Sequence, residues 1–212
     1  MRIHTARLTA GLLFACALTA THLSNAASPT TASTASTASS LEAEQEAAFK
    51  AAKAVQKAGP ADIVLRDQAH LKLPAGYVWV PTPAAAQLMR SMGNRTDDTF
   101  IGAIFPADDG DWMAVVKFVK EGYIKDDDAK DWNADELLTS LKEGTEAANE
   151  ERAKRGIPGI EVTGWAQKPQ YDAATHRLVW SALSKKKGSD GGNPGVNYNT
   201  YALGREGYLS LN

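Results

Sequence analysis

The chain has 212 residues, of which 43% are hydrophobic and 23% are charged, and its formal net charge at pH 7 is −2. These values are typical of a globular protein with a single core and short appendages. The only notable basic run is the three lysines at 185–187. Because nucleic-acid binding needs concentrated positive charge, we expect no nucleic-acid partner.

The first 26 residues have the pattern of a secretory signal peptide. Arg2 and Arg7 precede an apolar run at 8–18, and small residues follow at 24–27. A positive amino end, a short apolar segment and a small-residue cleavage site are the features of such a signal. We therefore predict export, with cleavage after Ala26. Retention of the segment as an uncleaved anchor is the alternative, although the apolar run is short for a membrane span.

Cys16 is the only cysteine, and it lies inside the apolar run. The residues before it distantly resemble a lipoprotein cleavage box, but Phe14 is large where that site usually has a small side chain. Lipidation of Cys16 is thus the weaker alternative. Cleavage after Ala26 would leave no cysteine, so the exported protein would have to fold without disulfides.

Residues 27–40 form a linker in which Thr-Ala-Ser occurs three times in tandem. Such a tract buries too little apolar surface to offset the entropy of ordering it. We therefore expect a flexible tether that carries no chemistry of its own.

Residues 41–59 predict a helix. The segment is rich in strong helix formers, Ser39 and Glu42 form a capping-box pattern before it, and Gly59-Pro60 ends it. Its apolar face is mostly alanine, which predicts a peripheral helix and not a core one. The larger apolar residues in it are Leu41, Phe49 and Val55.

Residues 60–212 predict one domain that is rich in strands. Short apolar runs are separated by proline, glycine and aspartate, which is typical of strands joined by tight turns. The Asp-Gly signal at 108–111 predicts a hairpin. The predicted strands are 63–65, 71–73, 77–80, 100–105, 112–120, 160–165, 170–171, 176–183 and 196–203.

Two helices are predicted among these strands. The first is short, with Thr82 as a possible N-cap, Pro83 at its first position and Gly93 at its end. The second is long, begins with a capping box at Asn133 and Glu136, and has one apolar stripe. Strands around one long helix predict an α+β domain with a mainly antiparallel sheet. The stripe consists of Leu137, Leu138, Leu141 and Ala148.

The last residues, YNTYALGREGYLSLN, predict two short strands joined by a Gly-Arg-Glu-Gly turn. The second of these strands is still running at Asn212. Because soluble domains seldom stop in mid-strand, we expect the domain to be truncated at its C-terminal end.

His176 is the strongest candidate for catalysis, and the signal is weak. Asp172 lies four residues before it, so the two could form a pair for acid–base chemistry. Glu146 or Glu150 of the long helix could replace Asp172 as the acidic partner. The sequence has no Gly-x-Ser-x-Gly elbow to supply a nucleophile. The competing interpretation is that Asp172 only stabilises its own turn by binding backbone amides.

Other motifs fail to predict a metal or cofactor site, and we expect neither. The acidic run at 126–131 has Asp131 and Leu137 where a calcium-binding EF loop requires glycine and glutamate. The lysine- and glycine-rich segment 185–195 lacks the order of a phosphate-binding loop. Asn94-Arg95-Thr96 fits a glycosylation acceptor only formally.

Five tryptophans lie in or beside the predicted strands. Packing in the core is the usual role of tryptophan, whereas an exposed cluster would indicate a recognition surface. The sequence leaves both interpretations open. The five are Trp79, Trp112, Trp132, Trp165 and Trp180.

Three segments resemble a bacterial family of uncharacterised, membrane-anchored proteins, known as domain of unknown function 2167. They are LPAGYVWVP, the stretch from KEGYIKDDD to HRLVWSAL, and VNYNTYALGREGYLSLN, and the resemblance runs from about Asp62 to Asn212. It implies attachment to the membrane, on the periplasmic side of the bacterial inner membrane, and continuation of the chain beyond GREGYLSLN. The family has no established catalytic residue or ligand, so the resemblance assigns none.

Together, these features lead us to expect an extracytoplasmic, membrane-associated module with a role in binding or envelope organisation. An envelope protein is a possible partner. The alternative is a hydrolase-like enzyme of the cell envelope that uses His176 with an acidic partner.

Overall fold

The computed structural model of the chain describes residues 31–108, 110–125, 132–190 and 193–212. The predicted signal peptide with Cys16, the first residues of the predicted linker and the acidic run at 126–131 lie outside the described residues. One residue of the predicted Asp-Gly turn, Asp109, also lies outside them.

The described residues form three helices and ten strands. The helices are α1 (Thr31–Val55), α2 (Ala84–Ser91) and α3 (Ala134–Lys154). The strands are β1 (Lys57–Ala58), β2 (Ala61–Leu65), β3 (Ala69–Leu73), β4 (Tyr77–Pro81), β5 (Phe100–Pro106), β6 (Ala114–Val119), β7 (Ile160–Asp172), β8 (Arg177–Lys186), β9 (Gly195–Leu203) and β10 (Tyr208–Leu211).

Eight of the strands form one sheet in the order β1-β4-β5-β6-β10-β9-β8-β7, and every pairing in it is antiparallel. The other two strands, β2 and β3, form a separate antiparallel hairpin. The predicted α+β class with a mainly antiparallel sheet is confirmed. The last strand in the chain, β10, lies between β6 and β9 and so joins the two halves of the sheet.

The three helices share one face of the sheet, because residues paired across neighbouring strands point to the same side. On this helix face α1 and α2 pack over β4, β5 and β6, around Phe100 and Val115. α3 packs over β7 and β8, around Leu141 and Val162. On the opposite face, the hairpin β2–β3 covers only the half of the sheet that contains Trp79.

Helix α1 differs from the expectation at both ends. It begins at Thr31, so residues 31–40 are helical where the sequence predicted a tether. The segment from 31 to 58 contains no glycine or proline to interrupt a helix. At the other end α1 stops at Val55, because residues 57 and 58 pair with β4 as β1. Tertiary pairing therefore overrides helix propensity at residues 57 and 58.

The buried face of α1 is its alanine face. Ala48 and Ala52 are buried against α2, whereas Phe49 is 62% exposed and Val55 is 49% exposed. Small side chains allow α1 and α2 to approach closely, and this contact leaves the larger apolar residues on the outside. The helix thus contributes to the core through its alanines.

Helix α3 begins as predicted and then departs from its predicted stripe. The side chain of Asn133 accepts hydrogen bonds from the amides of Asp135 and Glu136 at 3.0 and 3.3 Å. After Leu141 in the chain, the buried face of α3 becomes polar. Its buried residues are Leu141, Thr145, Asn149 and Arg152.

Asn149 holds the first residue of β7 against α3. Its side-chain nitrogen donates to the carbonyl of Ile160 at 2.7 Å, and its side-chain oxygen accepts from the amide of Ile160 at 2.8 Å. Both partners are buried, so the side chain replaces the strand partner that the backbone of Ile160 would otherwise need.

Replacement of Asn149 by alanine is expected to destabilise the protein. The change leaves two buried backbone groups unpaired, and each such group costs about 1–3 kcal/mol. Urea unfolding of Asn149→Ala should show a correspondingly lower free energy of unfolding. The control is Glu150→Ala, which changes an exposed residue of the same helix. Equal stability of the two variants would contradict this role for Asn149.

Candidate functional site

A cleft of about 710 Å³ opens in the sheet beyond the end of β10. One wall is the first half of β9, residues 195–200, and the opposite wall is the segment 111–115 that leads into β6. Met89 of α2 and Asn94 line the side toward the helices. The cleft thus lies within the plane of the sheet.

The pairing of β9 with its two neighbours defines the position of this cleft. β9 pairs with β8 from Gly195 onward, but its pairing with β10 begins only at Thr200. On the other side, Asn212 exchanges two backbone hydrogen bonds with Val115, at 2.8 and 3.0 Å. Within the described residues, no strand lies between β6 and β9 past that point.

A row of asparagine side chains lines the cleft next to the end of β10. The side chain of Asn212 donates to Asn199, and the hydroxyl of Ser210 donates to Asn212 at 3.0 Å. Asn199 in turn donates to the backbone carbonyl of Asn197 at 3.2 Å. Asn199 is only 2% exposed. Buried amides of this kind can orient a polar ligand through both donors and acceptors.

Two aromatic side chains are exposed beside the cleft. Tyr198 is 64% exposed and Trp112 is 45% exposed. The ring of Trp112 also contacts Tyr77, with centroids 5.6 Å apart. Exposed aromatic residues are typical of recognition surfaces, because they bury a large area with little loss of conformational freedom.

The side chains that line the cleft carry little charge. Asp111 is the only charged side chain among the described residues that line it, and the others are neutral. An unpaired charge on a ligand would therefore lose hydration without gaining a partner deep in the cleft. The lining favours an uncharged polar or apolar ligand.

His176 and Asp172 do not line this cleft. Asp172 is the last residue of β7, and His176 is the last residue of the turn before β8. The carbonyl of His176 accepts from the amide of Leu203 at 3.1 Å. His176 thus lies beside the carboxyl end of β9, about 10 Å along the strand from Thr200, which lines the cleft. The hydroxyl of Tyr171 lies 3.4 Å from Nδ1 of His176.

The carboxylate of Asp172 is engaged in its own turn. It accepts hydrogen bonds from the hydroxyl of Thr175 at 2.6 Å and from the amide of Ala174 at 2.9 Å. These bonds, led by that of Thr175, hold the pKa of Asp172 below its ordinary value. This geometry agrees with the turn-stabilising interpretation, and a catalytic role for His176 and Asp172 stays a prediction.

The two glutamates of α3 lie at the other end of β8. Glu146 forms an ion pair with Lys187, and this contact lowers the pKa of Glu146. Lys187 lies about 33 Å along β8 from Arg177, the residue that follows His176. Glu150 is one turn further along α3. The fold therefore does not bring Glu146 or Glu150 to His176.

A second cavity, of about 590 Å³, lies between α1 and the ends of α2 and α3. Its arginines are engaged within the protein. One guanidinium nitrogen of Arg155 donates to both carboxylate oxygens of Glu44 of α1, at 2.9 and 2.8 Å, and Arg90 donates to Thr96 at 2.9 Å. This cavity is thus part of the contact that holds α1 on the domain.

Lys117 is a buried amine that the sequence did not single out. It is 7% exposed and its ammonium group lies 3.8 Å from the carboxylate of Asp97. Burial lowers the pKa of Lys117, and the charge of Asp97 partly opposes that shift. Lys117 does not line the cleft, and we assign it a structural role.

The tryptophans divide between the two roles considered from sequence. Trp79 and Trp180 are buried, at 5% and 1% exposure, so packing is their role. Trp112 is exposed beside the cleft.

Sequence reasoning missed the cleft itself, since its two walls come from segments about 80 residues apart. The exposed pair Trp112 and Tyr198 was visible only as two aromatic residues in predicted strands.

The family is shown by comparison with known proteins. The model of a family described as protein of unknown function (DUF2167) matches residues 57–212, so the chain belongs to this family. No curated protein and no solved structure matches the chain. The matched region contains the whole sheet and the cleft, whereas α1 precedes it.

Two further findings concern the described residues only. None of their helices is both long and apolar enough to cross a membrane. They also contain no group of three or more His, Cys, Asp or Glu side chains that could hold a metal ion.

Two tyrosines of β9 test whether the cleft wall is an open surface. Tyr201 is 7% exposed and packs against Trp180 on the helix face, whereas Tyr198 is on the opposite face. We expect Tyr198→Ala to change the free energy of unfolding by less than about 0.5 kcal/mol. Tyr201→Ala should lower it by about 3–5 kcal/mol. A large loss for Tyr198→Ala would mean that its ring is packed within the protein.

Proposed function

We propose that this protein is an extracytoplasmic, membrane-associated binding module of the bacterial envelope, and that the cleft beyond β10 is its binding site. The cleft carries the proposal. Its volume of about 710 Å³ falls within the range of ligand sites, about 300–1,000 Å³. Its lining combines buried amides with exposed aromatic rings, a mixture that suits binding.

The first 26 residues support the extracytoplasmic part of the proposal. They carry the positive start, the apolar run and the small-residue site of an export signal. The resemblance to membrane-anchored proteins supports attachment to the membrane. Cleavage at Ala26 would leave a chain without cysteine, so the proposed protein depends on its buried core for stability.

In this proposal, helix α1 serves as a fixed connection between the domain and the amino-terminal segment. Its contacts with the domain include the ion pair of Glu44 with Arg155 and a hydrogen bond of 3.3 Å from Gln45 to the carbonyl of Ser91. Because α1 packs on α2, and Met89 of α2 lines the cleft, the helix also supports one side of the binding site.

Export is tested by fusing alkaline phosphatase, which is active only outside the cytoplasm, to the carboxyl end of the chain. The full chain should give phosphatase activity in the envelope fraction of a bacterial host. The matched control lacks residues 2–26 and should give inactive, cytoplasmic fusion protein. Recovery of the full chain from the cytoplasm with Met1 intact would refute the proposal.

Binding at the cleft is tested by photo-crosslinking in the same host. A photoreactive amino acid at position 198 should give a discrete adduct, because this side chain is exposed at the cleft. The control is position 49, which is similarly exposed on α1 but does not line the cleft. Identical adducts at both positions would show nonspecific contact and contradict a binding role for the cleft.

A further inference from the structure

Charged side chains surround the second cavity, of about 590 Å³, between α1 and the ends of α2 and α3. Its lining, within the described residues, contains three arginines and two glutamates. These are Arg90, Arg95, Arg155, Glu44 and Glu151. The way in which these side chains pair determines which charge a ligand of the cavity must carry.

Each carboxylate of the cavity is held by a close cation. One guanidinium nitrogen of Arg155 donates to the two carboxylate oxygens of Glu44 at 2.9 and 2.8 Å. The ammonium group of Lys154 donates to the carboxylate of Glu151 at 2.7 Å. The hydrogen bond from Lys154 is the largest cause of the lowered pKa of Glu151, and the charge of Arg95 is the smallest. Both negative charges are therefore balanced within the protein.

Arg90 and Arg95 carry positive charge that no close carboxylate balances. Arg90 donates to the hydroxyl of Thr96, a neutral acceptor, at 2.9 Å. The guanidinium group of Arg95 lies 3.9 Å from the carboxylate of Glu151, and the side chain of Arg95 is 65% exposed. Among the described residues, no carboxylate lies within hydrogen-bond distance of either guanidinium group. These two groups are thus the surplus positive charge of the cavity.

Neutral polar groups accompany the two arginines. The hydroxyl of Thr96 accepts from Arg90 and can donate its own hydrogen to a ligand. Asn94 lines this cavity as well as the cleft, and it is only 8% exposed. Its side-chain amide has no hydrogen-bond partner in the part of the chain that the structure describes. The lining therefore offers uncharged donors next to the surplus positive charge.

We propose that this cavity binds a phosphate group through Arg90, Arg95 and Thr96. A guanidinium group binds phosphate through paired hydrogen bonds in one plane. Two such groups match the charge of a phosphate monoester, about −1.5 to −2 at pH 7, better than that of a single carboxylate. The cavity also has room for the organic part of a phosphate ester. This inference does not depend on the function proposed for the cleft.

Glu44 of α1 opposes an anion in the cavity. Its charge repels a bound phosphate, and its pairing with Arg155 keeps a third guanidinium group occupied. Replacement of Glu44 by glutamine removes the repulsion and makes Arg155 available to the ligand. We therefore expect Glu44→Gln to bind phosphate about three-fold more tightly than the parent chain.

The test is an NMR titration of the isotope-labelled 212-residue chain with inorganic phosphate at constant ionic strength. We expect saturable shifts of the side-chain Nε–H signals of Arg90 and Arg95, with a Kd of about 1 mM or tighter. Acetate is the control, and it should give smaller shifts that do not saturate. No saturable shift up to about 10 mM phosphate, or equal shifts with acetate, would overturn the proposal.

Variants of the same chain locate the phosphate. Arg90→Gln and Arg95→Gln should each weaken binding at least about five-fold, because each removes charge-assisted hydrogen bonds to the ligand. The control is Arg205→Gln, which removes the same charge from an exposed residue that does not line the cavity. It should bind phosphate as well as the parent chain. Equal weakening by Arg205→Gln would show general attraction by net charge and contradict the site.

Vesicles separate the two sources of a phosphate group. Phosphatidylcholine vesicles that contain phosphatidic acid expose phosphate monoesters, and vesicles of phosphatidylcholine alone do not. Additional co-sedimentation of the chain with the mixed vesicles, lost in Arg95→Gln, would assign the site to a lipid headgroup. Saturable binding of inorganic phosphate without this additional co-sedimentation would assign it to a soluble phosphate compound.

Discussion

The structure depends on the pairing of one four-residue strand, β10, with β6 on one side and β9 on the other. The strands β1, β4, β5 and β6 form one half of the sheet with α1, α2 and the hairpin β2–β3. The strands β7, β8 and β9 form the other half with α3. Within the described sheet, only β10 carries the hydrogen bonds between these halves. Its backbone groups are therefore used on both sides.

The ends of α2 and α3 also connect the two halves of the sheet, on the helix face. Arg152, near the end of α3, is 4% exposed and donates to the carbonyls of Met92 and Pro158 at 3.3 and 2.8 Å. Met92 closes α2 on the other half of the molecule. A guanidinium group suits such a position because the carbonyls at the end of a helix carry partial negative charge. These bonds hold α2, and with it the side chains of Met89 and Asn94, at the edge of the cleft.

Local sequence patterns predicted the parts of the fold that depend on local forces. The cap at Asn133, the end of α2 just before Gly93 and the turn stabilised by Asp172 all follow from short-range hydrogen bonding, and all three occur. The position of β10 between β6 and β9 could not be predicted in this way. It depends on pairing between segments that are distant in sequence.

The features of α1, α3 and the cleft that the sequence did not predict all depend on tertiary contacts. Alanines of α1 are buried because a close approach to α2 favours small side chains, so the exposed Phe49 did not mark the packed face. The polar residues Asn149 and Arg152 are buried because they bind backbone groups of neighbouring segments. The cleft was missed for a similar reason, since no motif within one segment encodes a gap between two strands.

Hydrogen exchange of the β9 amides, measured by NMR on the 212-residue chain, tests the central claim most directly. If β10 ends the continuous pairing, the amides of Thr200 and Ala202, which face β10, should be protected. The amides of Val196 and Tyr198, on the same side of the same strand, should exchange at least about 100-fold faster. Equal protection of all four amides would show that the sheet is closed there and would contradict the account.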